Sequence, residues 1–281
     1  MKKRILRIAA FLLAAVLIVG VCVFANGLVG NPISKAIATR TAEHHLEEAY
    51  ADTDYGLERV TFSFKDGYYH AYIHSPSRID GDFTLRIDMW GTLCYDTYED
   101  RVLAGWNTAD RINRDYRAAV DKVLDSQAFP YDVHIGYGDF EFYPRAHSEE
   151  DTVPAHALIT EDLTPDAFYD VNELGTKHGI LTIYVEDQTV TAERLSEILL
   201  DVKAIFDDAG VKFHMIDCVL ESPKPEDGVW KEERVEVMDF LYGDIYEDGM
   251  VGRVKASDEA AKAYYDEQDA EKLKEKYDGG K

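Results

Sequence analysis

Val60-Thr61-Phe62-Ser63-Phe64-Lys65-Asp66-Gly67-Tyr68-Tyr69-His70-Ala71-Tyr72-Ile73 decides the fold of the first half of the chain, and it turns on its central Asp66-Gly67 pair. A type I′ two-residue turn needs positive φ at both centres, which aspartate and glycine tolerate. Folding the chain there pairs Phe64 with Tyr69, Phe62 with Ala71 and Val60 with Ile73, so one face becomes continuously apolar. A slip by one residue would throw that whole set to the other face, so the pattern fixes the register. Phe83, Leu85, Ile87 and Met89 then alternate with Thr84, Arg86, Asp88 and Trp90 as a third half-buried strand. Gly91 turns it back into residues 93–95.

Outward from this sheet, Asn31-Pro32 opens a helix: asparagine caps free amides, and proline occupies the first helical position, where no donor is missed. Ile33, Ile37, Ala42, Leu46, Ala49 and Tyr50 carry its stripe. On the other side, residues 99–124 predict the longest soluble helix, with Val102, Trp106, Ala109, Ile112, Tyr116, Ala119, Val120 and Val123 along one side and the sheet as their partner. Helix, antiparallel sheet and helix make a first module over 31–127, with a joint at 126–130. In a second module, 128–281, a glycine-bearing strand over 133–143 and a polar loop over 147–165 precede a buried strand at 180–185. Thr191 caps a helix that Gly210 ends, strands follow at 211–220 and 235–241, and a charged helix closes the chain at 257–277. The expected class is α+β, with two small helix-on-antiparallel-sheet modules.

Every residue from Ile8 to Ala25 is apolar, a run of about 27 Å as a helix, and Lys2, Lys3, Arg4 and Arg7 precede it. This predicts a single-pass transmembrane anchor over 1–30, with the N-terminus cytoplasmic and everything after Asn26 outside the cell. A cleaved signal peptide ending at Val23-Phe24-Ala25 is the alternative. The formal net charge is -24, and without the four N-terminal bases 26 basic residues face 54 acidic ones. Such a surface repels nucleic acid and anionic headgroups, so no nucleic-acid partner is expected. Outside the apolar run only Cys94 and Cys218 remain, readable either as one bridge tying the modules together or as two buried free thiols.

The stretches Asn31-Pro32-Ile33-Ser34-Lys35, Tyr95-Asp96-Thr97-Tyr98-Glu99-Asp100-Arg101-Val102 and Gly105-Trp106-Asn107-Thr108, with the helix end over 42–50, resemble the YfjL-like proteins, membrane-anchored proteins of Gram-positive bacteria. The resemblance covers most of the chain after residue 30 and is strongest over 31–125. It implies a two-part ectodomain at a bacterial surface and supplies no active-site residues to carry over. By element order and its aspartate-glycine turn, the first module also resembles the small regulatory PepSY domains.

Chemistry leaves few marks. His44 sits at ligand-compatible spacing from Glu47 and Glu48, but two ligands do not close a zinc site. His70 and His74 share a strand face about 13 Å apart, too far to grip one ion. There is no HExxH, no EF-hand loop, no G-x-S-x-G elbow, no S-x-x-K and no phosphate-binding glycine loop. No cofactor and no metal are expected. What remains is the outward face of the first sheet, where Tyr68, His70, Tyr72 and His74 lie beside Arg86, Asp88 and Trp90, residue types that dominate binding hot spots. That face is readable either as a ligand or partner surface or as a face covered by the second module or a helix, with its polar tips satisfied at the edge. The leading expectation is a non-enzymatic, membrane-tethered accessory protein at the cell surface, binding a protein or small molecule through its α+β ectodomain. An extracytoplasmic hydrolase using carboxylates or histidines of the 133–165 segment, which contains His134, His147 and His156, or a regulator of a surface protease, are the rival readings.

Overall fold

The computed structural model describes residues 2–146, 152–223 and 233–278. Its contacts divide the chain into two compact units, one made of 1–108 with 163–167, the other of 109–162 with 168–281.

In the first unit α1 (Lys2–Val29) is followed by α2 (Pro32–Ala49), which starts as the sequence predicts: the Asn31 side chain accepts from the Ser34 amide at 2.7 Å, with proline at the first helical turn. Then β1 (Gly56–Ser63), β2 (Tyr68–His74), β3 (Phe83–Ile87) and β4 (Leu93–Asp96) form an antiparallel sheet in that order. One sheet face is apolar because the strands alternate. Val60, Tyr69, Ala71, Ile73, Phe83, Leu85 and Ile87 turn inward and meet the small residues Ala38 and Ala42 of α2, which let the helix approach closely. Tyr50, Tyr55, Phe83 and Tyr98 close one end of this core with ring centroids 5.1 to 5.8 Å apart. Such pairs contribute about 0.5–1.5 kcal/mol each beyond their area.

The hairpin differs from its expectation by two residues. Val60 pairs with Ala71 and Phe62 with Tyr69, so the loop holds four residues, 64–67, rather than two. The Gly67 amide donates to the Ser63 carbonyl at 2.8 Å, with Gly67 alone at positive φ (77°), and Asp66 Oδ1 accepts the Tyr68 amide. A shift of two preserves the faces, so the core is as expected, but Phe64 falls in the loop and is 64% exposed.

The anchor expected over 8–25, and the single-pass membrane location built on it, are corrected by the structure. Among the described residues no helix is long and apolar enough to cross a membrane. The fold class is therefore α+β, with no transmembrane helix among the described residues.

The helix expected over 99–124 is broken. Residues Glu99–Leu103 form a π-helical turn, Gly105 takes φ 77°, and a new helix, α3, runs from Trp106 to Leu124. Residues 109–124 belong to the second unit, and their stripe packs on its sheet rather than on the first: Tyr116 stacks on Phe140 at 4.4 Å, and Val120 and Leu124 press on Gly138 and Gly136.

That second sheet has the order β10-β9-β8-β5, from β5 (Asp132–Phe140), β8 (Gly179–Glu186), β9 (Met215–Glu221) and β10 (Arg234–Leu241). The short β6 (Phe142–Tyr143) and β7 (Leu158–Ile159) pair beside it, and α4 (Val171–His178) leads directly into β8. It is not the antiparallel sheet expected, because β8 and β9 run parallel. The reason is α5 (Ala192–Ala209), capped by Thr191 and ended by Gly210 at φ 72°, an 18-residue crossover of the kind that parallel neighbours require. Finally α6 (Met250–Asp278) lies against β10. The two sheet faces are unlike. Leu181, Ile183, Val185, Ile216, Cys218 and Leu220 fill one, whereas Tyr137, Thr182, Tyr184, Glu186, Asp217 and Glu221 lie on the other.

Candidate functional site

Strand alternation places Tyr68, His70 and Tyr72 half-buried on the face of the first sheet opposite α2, as expected, with Arg86 directly beside His70 in the register. The Arg86 guanidinium lies 4.9 Å from the Tyr68 ring centroid and 5.6 Å from that of Tyr95, so it is sandwiched between two π-faces. Its buried Nε has no hydrogen-bond partner. Arg59 covers the Tyr72 ring at 4.0 Å, and the Tyr95 hydroxyl donates to Asp100.

Three of the expected residues take other places. His74 is exposed at the strand end, 2.7 Å from Asp82. β3 stops at Ile87, so Asp88 and Trp90 belong to the turn. Asp88 Oδ1 accepts the amides of Trp90 and Thr92, and Trp90 projects from the tip, 78% exposed. The cause is Gly91, whose φ of 92° closes the turn and whose missing Cβ leaves room for Ile37. Tyr95 was missed as a member of the face, because β4 is too short to reveal its register from sequence. His70 pairs with Asp66 at 2.8 Å, and His44 with Glu48 at 3.2 Å on an exposed helix turn. His45 and the Tyr50 hydroxyl share Asp96 Oδ2, both at 2.8 Å.

Both cysteines outside α1 are free. Cys218 is buried as expected, and burial pushes its thiol far above the usual range, but Cys94 is exposed because β4 lies at the sheet edge.

In the second unit the polar sheet face gathers two groups of titratable side chains. His156 lies 3.1 Å from Glu141, stacks near His214 at 6.5 Å, and gives its carbonyl to His178. Near it, burial raises the Asp217 carboxyl above its ordinary value, although the Asp239 amide at 2.8 Å partly opposes the shift. At the other end of the sheet, His134, Glu186 and Glu221 offer ligand atoms that all lie within 4.8 Å of one another. The histidines of the 133–165 segment, His134, His147 and His156, are not all placed together. His134 and His156 belong to separate groups, and His147 lies outside the described residues.

Fold and faces define a class: a two-part α+β protein in which each part backs a sheet with helices and keeps a polar, tyrosine-bearing face. The chain belongs to the YfjL-like family, for the model of the YfjL-like N-terminal domain matches residues 2–96 and that of the YfjL-like C-terminal domain matches 115–255. The division between the two units, at 108 and 109, falls in the interval between these matches. No curated protein and no solved structure matches the chain.

Proposed function

We propose that this chain is a non-enzymatic binding protein whose ligand surface is the Tyr68, His70, Tyr72 and Arg86 face of the first unit. The observation that supports this is Arg86. No ion pair or hydrogen bond of its side chain occurs among the described residues of a chain holding 54 carboxylates. A buried N–H without an acceptor costs on the order of 1–3 kcal/mol, a shortfall that an incoming carboxylate would cancel with a charge-assisted bond. The flanking tyrosines supply rigid apolar area with polar tips, the composition of a recognition surface. The ligand is therefore a carboxylate-bearing small molecule or protein segment. Calorimetric titration with a panel of small acids and acidic peptides tests this. Arg86→Ala, with its fold checked by circular dichroism, should weaken the best binder by about 2 kcal/mol, the scale of a charge-assisted bond. Equal affinity in the two proteins would refute the reading.

One observation favours a second reading, a hydrolase on the polar face of the second unit, namely the raised carboxyl of Asp217 beside the Glu141–His156 pair. Turnover of ester, peptide or glycan substrates that disappears in His156→Ala would place the activity there and displace the first reading.

A further inference from the structure

We infer that His134, Glu186 and Glu221 form a binding site for one divalent transition-metal ion, with zinc the expected occupant. This lies in the other unit from the face above and does not depend on it.

The site is assembled from three strands. Glu186 and Glu221 are direct partners across the parallel β8–β9 pair, which sets two like charges side by side. Adjacent like charges destabilise a sheet unless something neutralises them. Glu221 is 8% exposed, too deep for water alone to screen it. Among the described residues the one ion-pair partner recorded for either carboxylate is His134, with Nε2 3.3 Å from Glu221 and Nδ1 3.8 Å from Glu186. Arg234, opposite Glu221 on β10, sends Nη2 to both Glu236 oxygens at 2.6 and 2.7 Å.

His134 owes its aim to a bulge. The register of β5 on β8 shifts between Val133 and Ile135, so His134 is the extra residue and its ring turns toward the two carboxylates, edge-on to Tyr184 at 5.7 Å. Bulges of this kind re-aim side chains and recur beside functional sites.

The distances suit an ion. Three atoms within 4.8 Å of each other share a point about 2.8 Å or less from all of them, and a small side-chain rotation brings that to the roughly 2.0–2.2 Å of zinc–nitrogen and zinc–oxygen bonds. Two carboxylates balance the ion's charge. The imidazole favours zinc, copper or nickel over magnesium, calcium or manganese, and the remaining coordination positions fall to water.

The test uses the full chain, stripped with a chelator and titrated with Zn²⁺ in excess Mg²⁺, which displaces ions held loosely by the acidic surface. One Zn²⁺ per chain should bind under these conditions, and Co²⁺ in its place should give visible d–d bands. Glu221→Gln keeps size and shape, so it should fold. It and His134→Ala should each weaken Zn²⁺ binding by at least about a hundredfold, the upper end of what losing even an outer-shell partner costs. Glu221→Gln should also raise the melting temperature of the metal-free protein, since it removes one of two carboxylates set side by side across β8 and β9. Zinc binding that vanishes in excess Mg²⁺, or that survives both substitutions, would overturn the assignment.

Discussion

Tyr116 shows how much one side chain can hold in the second unit. Fully buried, it stacks on Phe140 and donates its hydroxyl to the Lys212 carbonyl at 2.9 Å. The glycines around it are required by this ring: a Cβ on Gly179 would stand 2.4 Å from its hydroxyl oxygen. Tyr116→Phe should keep the stack and lose about 1 kcal/mol in chemical denaturation, because one carbonyl loses its donor. Asp217 makes the opposite case. Its folded-state pKa is raised above the ordinary 3.8 by burial, so the penalty for charging it is absent well below that value. The penalty grows as the pH climbs from there through the raised value and is complete above it. Asp217→Asn keeps an oxygen for the Asp239 amide. Its melting temperature should exceed that of the parent near neutral pH, and the gain should shrink toward nothing on acidification. A gain that is constant with pH would show that the carboxyl is not perturbed. Neither residue could be singled out from sequence, because burial of a polar tip depends on which distant strand lies above it.

At the scale of elements, the hairpin, the α2 cap and the Thr191–Gly210 helix were legible because their signals are local: alternation, an asparagine before proline, a glycine after the last apolar residue. What was not legible depends on non-local partners. The loop at 64–67 lengthened by two residues since Gly67 alone supplies positive φ, and helix 99–124 broke at Gly105. The stripe of α3 was correctly read, yet nothing in it says which of two sheets it covers. The segment Leu163–Ala167 is another such case, for it returns to the first unit. There Asp166 sits at φ 62°, donates its amide to buried Asp80 at 2.9 Å, accepts the Asp80 amide at 2.8 Å and holds Arg78 Nε at 3.3 Å. Asp166→Ala forfeits the side-chain bonds and puts a Cβ without polar compensation in the left-handed region, a loss of about 2–3 kcal/mol expected in thermal or chemical melts. Asp166→Asn, which tolerates that region, should lose about 1 kcal/mol.

For the whole molecule, length leads to an expectation of two folded modules, 31–127 and 128–281, and the contacts of the structure define two units that divide at 108 and 109. An apolar run and a basic tip predict an anchor over 1–30, whereas among the described residues no helix is long and apolar enough to cross a membrane. Charge remains the strongest global constraint. At a formal -24, the chain should show no retardation of duplex DNA or RNA in gels at low salt, where electrostatic binding is strongest, and a shifted band would mean a basic surface the sequence does not suggest. The candidate sites were legible only in part. The aromatic face of the first sheet followed from alternation, whereas His134, Glu186 and Glu221 are far apart in the chain and meet only through β5, β8 and β9.

The binding face is tested most directly by nuclear magnetic resonance of protein labelled at arginine, with the Arg86 Nε–H signal assigned by its loss in Arg86→Lys. On titration with the best carboxylate ligand that signal should move saturably while the ligand stays chemically intact. A signal that stays still while ligand binds, or a ligand that is consumed, would contradict a non-catalytic Arg86 site.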